Sequence, residues 1–271
     1  MGKRWLKWLW LLTLTAVCLS CTSHEEIPAT AVPLPTITPS PTPCDETVGQ
    51  VQKLTFENNT YLPTEVNVYL PPCYEVRPNA HYPVLYMLHG SGLDQNIWLE
   101  LGIAEEADRL ISEEAIEPLI IVMPPSLSFG PKFDAFMVDE LIPTIDEQFR
   151  TQAGQNGRWL AGMSFGATLV IRVGLQHADL FGKLGILSVS YIGISNEDAA
   201  NWLDALAPEE LPEFMLDVGE SDSLLQRHHG NFIQLLEERN IPHDSFIRPG
   251  GHTLPYWEKN VGSYLQWFAG P

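Results

Sequence analysis

Basic residues are scarce in this chain. Fifteen Lys and Arg stand against 34 Asp and Glu among 271 residues, for a formal charge of −19. So acidic a surface repels phosphate, which argues against nucleic acid and anionic lipid headgroups as partners. Cysteine is scarce too, at four residues. No cysteine–histidine spacing suits a zinc site, and no His-Glu-x-x-His run occurs. The Gly-x-Gly-x-x-Gly and P-loop patterns are also missing, so nothing in the sequence calls for a cofactor or a metal. There is no internal repeat. The apolar stretch Trp8 to Leu19 is too short to read as a transmembrane helix.

That stretch follows Lys3, Arg4 and Lys7, and residues 1–20 read as an export signal. It ends Cys18-Leu19-Ser20-Cys21. This resembles the bacterial lipobox, in which a cysteine after a small residue becomes lipid-modified, although Cys18 stands where leucine is usual. Cys21 is therefore the expected lipidation site, giving an exported protein held to a membrane by an N-terminal lipid anchor. A plain secretory signal and an uncleaved anchor are the alternatives. Residues 21–43 follow, with six prolines and five threonines between 22 and 43. Such a segment can bury little and offers few amide donors, so a disordered tether is expected.

Residues 44–271 are expected to form one folded domain, long enough for a sizeable core. Val51–Phe56 and Glu65–Leu70 alternate as strands, with a turn at Asn58-Asn59-Thr60. Cys44 precedes the first strand and Cys73 follows the second. If the strands form an antiparallel hairpin, the two cysteines become neighbours, and a disulfide between them would stabilise by about 3–4 kcal/mol.

Tyr82–Leu88 is apolar nearly throughout, as befits a strand covered on both faces. Helical and strand patterns then take turns: helix 103–116, strand 119–123, an amphipathic stretch 133–149 with Pro143 inside it, strand 158–161, helix from 165. Strand 184–189, helix 197–206, strand 214–218, helix 224–240, strand 243–248 and helix 255–268 complete the series. This alternation predicts an α/β fold with a mainly parallel sheet and helices on both faces, plus the N-terminal hairpin.

Within that series, Gly162-Met163-Ser164-Phe165-Gly166 joins a strand to a helix. By chance this pentapeptide pattern would occur in roughly one chain in ten of this length, so its setting matters more than its letters. Strand, Gly-x-Ser-x-Gly, helix is the layout of a nucleophile elbow. A serine hydroxyl needs a base, and the base needs an orienting acid. In this fold both follow the serine, the acid first. His252, after Pro249-Gly250-Gly251 and the last strand, is the candidate base; a turn histidine packed near Trp257 is the plainer use. Asp222, on the loop past strand 214–218, is the candidate acid, with Glu220 and Asp217 as rivals. Asp222 also suits the N-cap of the next helix. His228 and His229 look like surface residues of that helix. His89-Gly90-Ser91-Gly92 follows a buried strand, where such a loop supplies one oxyanion donor and the residue after the nucleophile supplies the other.

The run from Tyr82 to Asp94 followed by Trp98, the segment Glu140–Asp146, the elbow, and Pro249–His252 with Tyr256-Trp257 together resemble the Putative esterase family. That family includes esterase D, feruloyl esterase modules, enterochelin esterase-like enzymes and the antigen 85 mycolyltransferases. The resemblance covers residues 51–268. It implies an α/β-hydrolase fold, a serine esterase activity, Ser164 as nucleophile, Asp222 as acid, His252 as base, and the N–H groups of Ser91 and Phe165 as oxyanion donors. Phe165 and Ala167 depart from the usual Gly-x-Ser-Met-Gly-Gly elbow. Trp98, Phe129, Tyr191 and Trp257 are candidates to line a substrate pocket, or else belong to the core. The expected partner is a small-molecule or glycan ester. Acyl transfer to a sugar or lipid hydroxyl and non-catalytic binding on the same scaffold remain as other readings.

Overall fold

The computed structural model describes residues 44–57, 64–126 and 130–271. These fall within one compact unit, Pro41–Pro271. The expected export signal, Cys21, the Pro/Thr-rich segment, the turn at 58–60 and Phe129 lie outside the described residues.

The chain opens with β1 (Gln50–Phe56) and β2 (Thr64–Leu70), an antiparallel hairpin paired from Gln50↔Leu70 to Phe56↔Thr64. β3 (Val84–Leu88) follows, then α1 (Ile97–Glu100), α2 (Ile103–Ser112) and β4 (Ile120–Met123). Next come α3 (Pro131–Ala135), a π-type stretch Phe136–Leu141, and α4 (Ile142–Gln148). Then β5 (Arg158–Met163), α5 (Phe165–Gln176), β6 (Lys183–Leu187) and α6 (Asn196–Asp204) alternate. β7 (Glu213–Gly219), α7 (Ser223–Glu238), β8 (His243–Arg248) and α8 (Leu254–Ala269) close the series. The eight strands form one sheet in the order β1-β2-β4-β3-β5-β6-β7-β8. β3 to β8 run parallel, and β2 meets β4 antiparallel.

Because side chains alternate along a strand, each central strand feeds two cores. Val66, Val68, Tyr86, Leu88, Leu160, Leu184, Ile186 and Leu216 face one side, where residues of α3 to α7 cover them. Tyr69, Leu85, Met87, Ile121, Ala161, Met163 and Met215 face the other, under α1, α2 and α8. Each fully buried large apolar side chain contributes about 1.5–3 kcal/mol. Their stacking against rigid helices makes the sheet a stable frame for the loops at its carboxyl edge.

Some boundaries differ from expectation, each for a local reason. β3 starts at Val84 because Pro83 has no N–H to give; Tyr82 makes only an isolated bridge to Thr151. α2 stops at Ser112. Glu114 takes φ 55°, and Ala115 N–H reaches back to the Leu110 carbonyl at 2.9 Å, a Schellman closure built without glycine. Pro143 stands in the first turn of α4, where the helical stretch restarts after its π-type segment. The π-type stretch ahead of it widens the bonding pattern, so the helix passes a residue that lacks an N–H.

Cys44 and Cys73 form a disulfide with Cα atoms 5.9 Å apart. It ties the segment before β1 to the turn after β2, at the edge of the sheet where the parallel strands begin.

Candidate active site

Ser164 lies between β5 and α5, with φ 56° and ψ −114°. This backbone conformation is costly for a residue with a side chain, by about 1–3 kcal/mol, and the surroundings enforce it. The glycines on either side explain how. A Cβ on Gly162 would fall 2.6 Å from the carbonyl carbon of Gly166, and one on Gly166 would fall 2.7 Å from the carbonyl oxygens of Leu88 and His89. Only bare backbones allow α5 to approach β5 and β3 so closely. Ser164 N–H also donates to the Leu187 carbonyl at 2.8 Å, fastening the turn to β6.

His252 sits on the loop between β8 and α8, and Asp222 on the turn between β7 and α7. The structure brings all three side chains together at the carboxyl edge. His252 Nε2 lies 2.9 Å from Ser164 Oγ, and His252 Nδ1 lies 2.8 Å from Asp222 Oδ2. A carboxylate can only accept, so Nδ1 carries the proton and Nε2 is left to accept from the serine hydroxyl. Asp222 is 8% exposed, which shields its contact with the ring from water. Its other oxygen accepts the Leu225 N–H at 3.4 Å, so the residue also caps α7. Trp257 packs edge-on against the His252 ring, with centroids 4.9 Å apart.

The two rivals for the acid are placed elsewhere. Glu220 faces solvent. Asp217 is fully buried in β7 and takes hydrogen bonds from Tyr256, Tyr264 and Arg248.

The loop after β3 passes directly over the serine. A Cβ added to Gly90 would stand 3.2 Å from Ser164 Cβ and 3.7 Å from its Oγ. His89 pins this loop. Its Nδ1–H donates to the Gly90 carbonyl at 2.8 Å, and its Nε2 accepts the Ser126 N–H at 2.8 Å. Burial holds its pKa below the usual histidine value, so the ring stays neutral and keeps both contacts. Ser91 follows Gly90 on this loop and is exposed, while Phe165 opens α5 with its side chain in the core. The first N–H groups of α5, at the positive end of its dipole, rise beside Ser164.

Of the candidate pocket residues, Trp98 is a core residue. It is fully buried in α1, and its indole N–H donates to the Leu88 carbonyl at 3.2 Å. Trp257 is nearly buried but touches His252. Tyr191 is half-buried on the loop after β6, with its ring 5.4 Å from that of His228 in α7. His229 is not a surface residue. It is 2% exposed, on the stripe Leu225, His229, Phe232, Leu236 that faces the sheet, with Nε2 2.9 Å from Ser245 Oγ.

A serine elbow after the fifth strand of a sheet in this order marks the α/β-hydrolases, and this chain is one of them. The fold matches that of a ferulic acid esterase with a TM-score of 0.75 at 22% identity, over 82% of this chain and 98% of the other. The sequence is 36% identical over 156 residues to an endo-1,4-beta-xylanase/feruloyl esterase of Xylanibacter ruminicola, over 52% of this chain and 22% of that protein. It is 39% identical over 132 residues to an esterase of Mycobacterium tuberculosis, over 44% of this chain and 27% of that protein. The matched regions thus span about a quarter of those relatives' lengths. The profile of the Putative esterase family matches residues 58–267, and the chain belongs to that family.

Proposed function

We propose that this protein is a serine carboxylic ester hydrolase that works through an acyl-enzyme. The observation that carries the reading is the hydrogen-bonded run from Ser164 to His252 to Asp222. Ser164 Oγ attacks the ester carbonyl carbon while its proton passes to His252 Nε2. Asp222 holds the Nδ1–H and balances the imidazolium that forms. The N–H groups of Ser91 and Phe165 receive the oxyanion, supported by the close passage of the Gly90 loop over the serine. As the tetrahedral adduct collapses, His252 returns the proton to the leaving alcohol. Water then repeats the sequence on the acyl-serine, releasing the acid and restoring the hydroxyl.

For the acyl part we propose an aromatic group of the feruloyl kind, carried on a small alcohol or a glycan. The support is the name borne by the Xylanibacter relative and by the matching fold. Tyr191, half-buried on the loop after β6, offers aromatic surface at the same edge of the sheet. We also propose export, with residues 1–20 as the signal, lipid on Cys21 as the membrane anchor, and residues 21–43 as the tether to the domain at 44–271. The Cys44–Cys73 bridge supports an oxidising compartment.

The test is hydrolysis of methyl ferulate and a short nitrophenyl ester by the purified protein and by Ser164→Ala. The expected loss in kcat is ~10⁴-fold or more. Equal rates for the two proteins would discard the assignment.

A further inference from the structure

Asp217 lies under the site and makes no hydrogen bond to Ser164 or His252. It is fully buried, in β7. Three side-chain donors converge on it. The Tyr256 hydroxyl lies 2.9 and 2.8 Å from its two oxygens, the Tyr264 hydroxyl lies 2.8 Å from Oδ2, and Arg248 Nη1 reaches Oδ1. Burial, then the carboxylate itself, raises the pKa of both phenols, so both stay protonated as donors.

The positions of these donors matter more than their number. Arg248 is the last residue of β8, and Tyr256 is in the first turn of α8. Between them runs the loop that carries His252. Both ends of that loop are thus bound to one carboxylate. The loop is also stitched to the turn that carries Asp222. Glu220 N–H donates to the Arg248 carbonyl and Ser221 N–H to the Gly250 carbonyl, each at 2.8 Å. Contacts are tight enough to transmit a shift. A Cβ on Gly250, where φ is +135°, would stand 2.6 Å from the Tyr256 ring, and one on Gly219 would stand 2.6 Å from the Gly250 oxygen. Trp257, next to Tyr256, rests on the His252 ring.

We infer that Asp217 is a positioning residue for the reaction: by gripping Arg248 and Tyr256 it sets where the His252 imidazole stands relative to Ser164. A greasy contact would let the loop slide, whereas a buried carboxylate with several donors fixes two elements at once. Misplacement of a reacting group by about 1 Å costs on the order of 10²-fold in rate. The inference rests on the reading of His252 as the base.

The experiment compares Asp217→Asn, Tyr256→Phe and Arg248→Met with the parent on a nitrophenyl ester and with a serine-reactive phosphonate. Val261→Ala serves as a control that loosens α8 from its buried side while leaving every donor to Asp217 in place. The expected result is a 10–100-fold fall in kcat and in labelling rate, with KM within about twofold. The downfield proton resonance of the His252 Nδ1–H should weaken or move. Val261→Ala should lower the melting temperature and leave kcat and the resonance in place. Unchanged kcat in Tyr256→Phe and Arg248→Met would overturn the inference, and so would a fall in Val261→Ala equal to theirs. If Asp217→Asn fails to fold, the other two variants decide. Ser164→Ala separates this outcome from failure of the underlying reading: an active Ser164→Ala sinks the base assignment, whereas an inactive one beside a normal Tyr256→Phe sinks only the role of Asp217.

Discussion

Asp222 does two jobs with its two oxygens, and substitution can separate them. One oxygen meets the His252 ring at 2.8 Å and the other caps α7 through the Leu225 N–H at 3.4 Å. An asparagine in its place would keep a capping oxygen, because asparagine caps as well as aspartate does. It would lose the negative charge and the acceptor that fixes the Nδ1–H tautomer. Asp222→Asn should therefore hold stability within a few tenths of a kcal/mol while lowering kcat by about 10³–10⁴-fold. Asp222→Ala should lose the same catalysis and also the cap. At 3.4 Å that bond is long, so about 0.5–1 kcal/mol is expected, or a melting temperature lower by roughly 1–4 °C. Thermal unfolding by circular dichroism and steady-state hydrolysis of a nitrophenyl ester would read the two effects independently. An Asp222→Asn protein with full activity would refute the assignment of the acid. A variant that loses activity only in proportion to lost stability would leave the cap as the residue's sole purpose.

Two further outcomes follow from features away from the serine. Replacing both Cys44 and Cys73 by serine opens a loop of sequence separation 29, which the chain-entropy relation values at about 3.5 kcal/mol. The melting temperature should fall by roughly 7–14 °C with kcat at 25 °C unchanged, and a fall under about 2 °C would show that the bridge does not stabilise in this way. His229 is held at a pKa of about 4 by burial, with His243 adding to the effect. Between that value and about 6.5 the unfolded chain binds a proton that the folded chain refuses, so stability is present above this window and is lost as pH falls through it. Melting curves from pH 7 to pH 4 should show a drop of up to about 3 kcal/mol from this group, absent in His229→Gln; identical slopes would refute it.

The elbow was legible because its glycines answer a local steric demand: two backbones cannot meet at 162 and 166 if either carries a Cβ. The central parallel strands β3 to β7 were legible because burial on both faces leaves few polar positions, whereas β8, at the edge of the sheet, is largely polar and partly exposed. The loop past β7 singles out Asp222 over Asp217 and Glu220, but nothing in the sequence shows that two hydroxyl groups from α8 converge on Asp217. His229 sits on a visible stripe with Phe232 and Leu236, but its polar side chain disguised an inward position that Ser245 makes tolerable. Trp98 follows a glycine-rich loop and looks like a site residue, yet its indole closes a backbone carbonyl in the core. The end of α2 carries Glu114 where glycine would have announced the stop.

The disulfide marks one more property of the frame. Cys44 enters the body beside Cys73, at the edge where the parallel strands begin. α8 finishes at that same edge, where Lys183, the first residue of β6, holds the carbonyls of Trp267 and Phe268 at 3.3 and 3.0 Å. The serine opens on the far side. Polypeptide grafted at either place would hang from the back of the molecule. Its front would stay clear for an ester attached to something too large to enter a cleft.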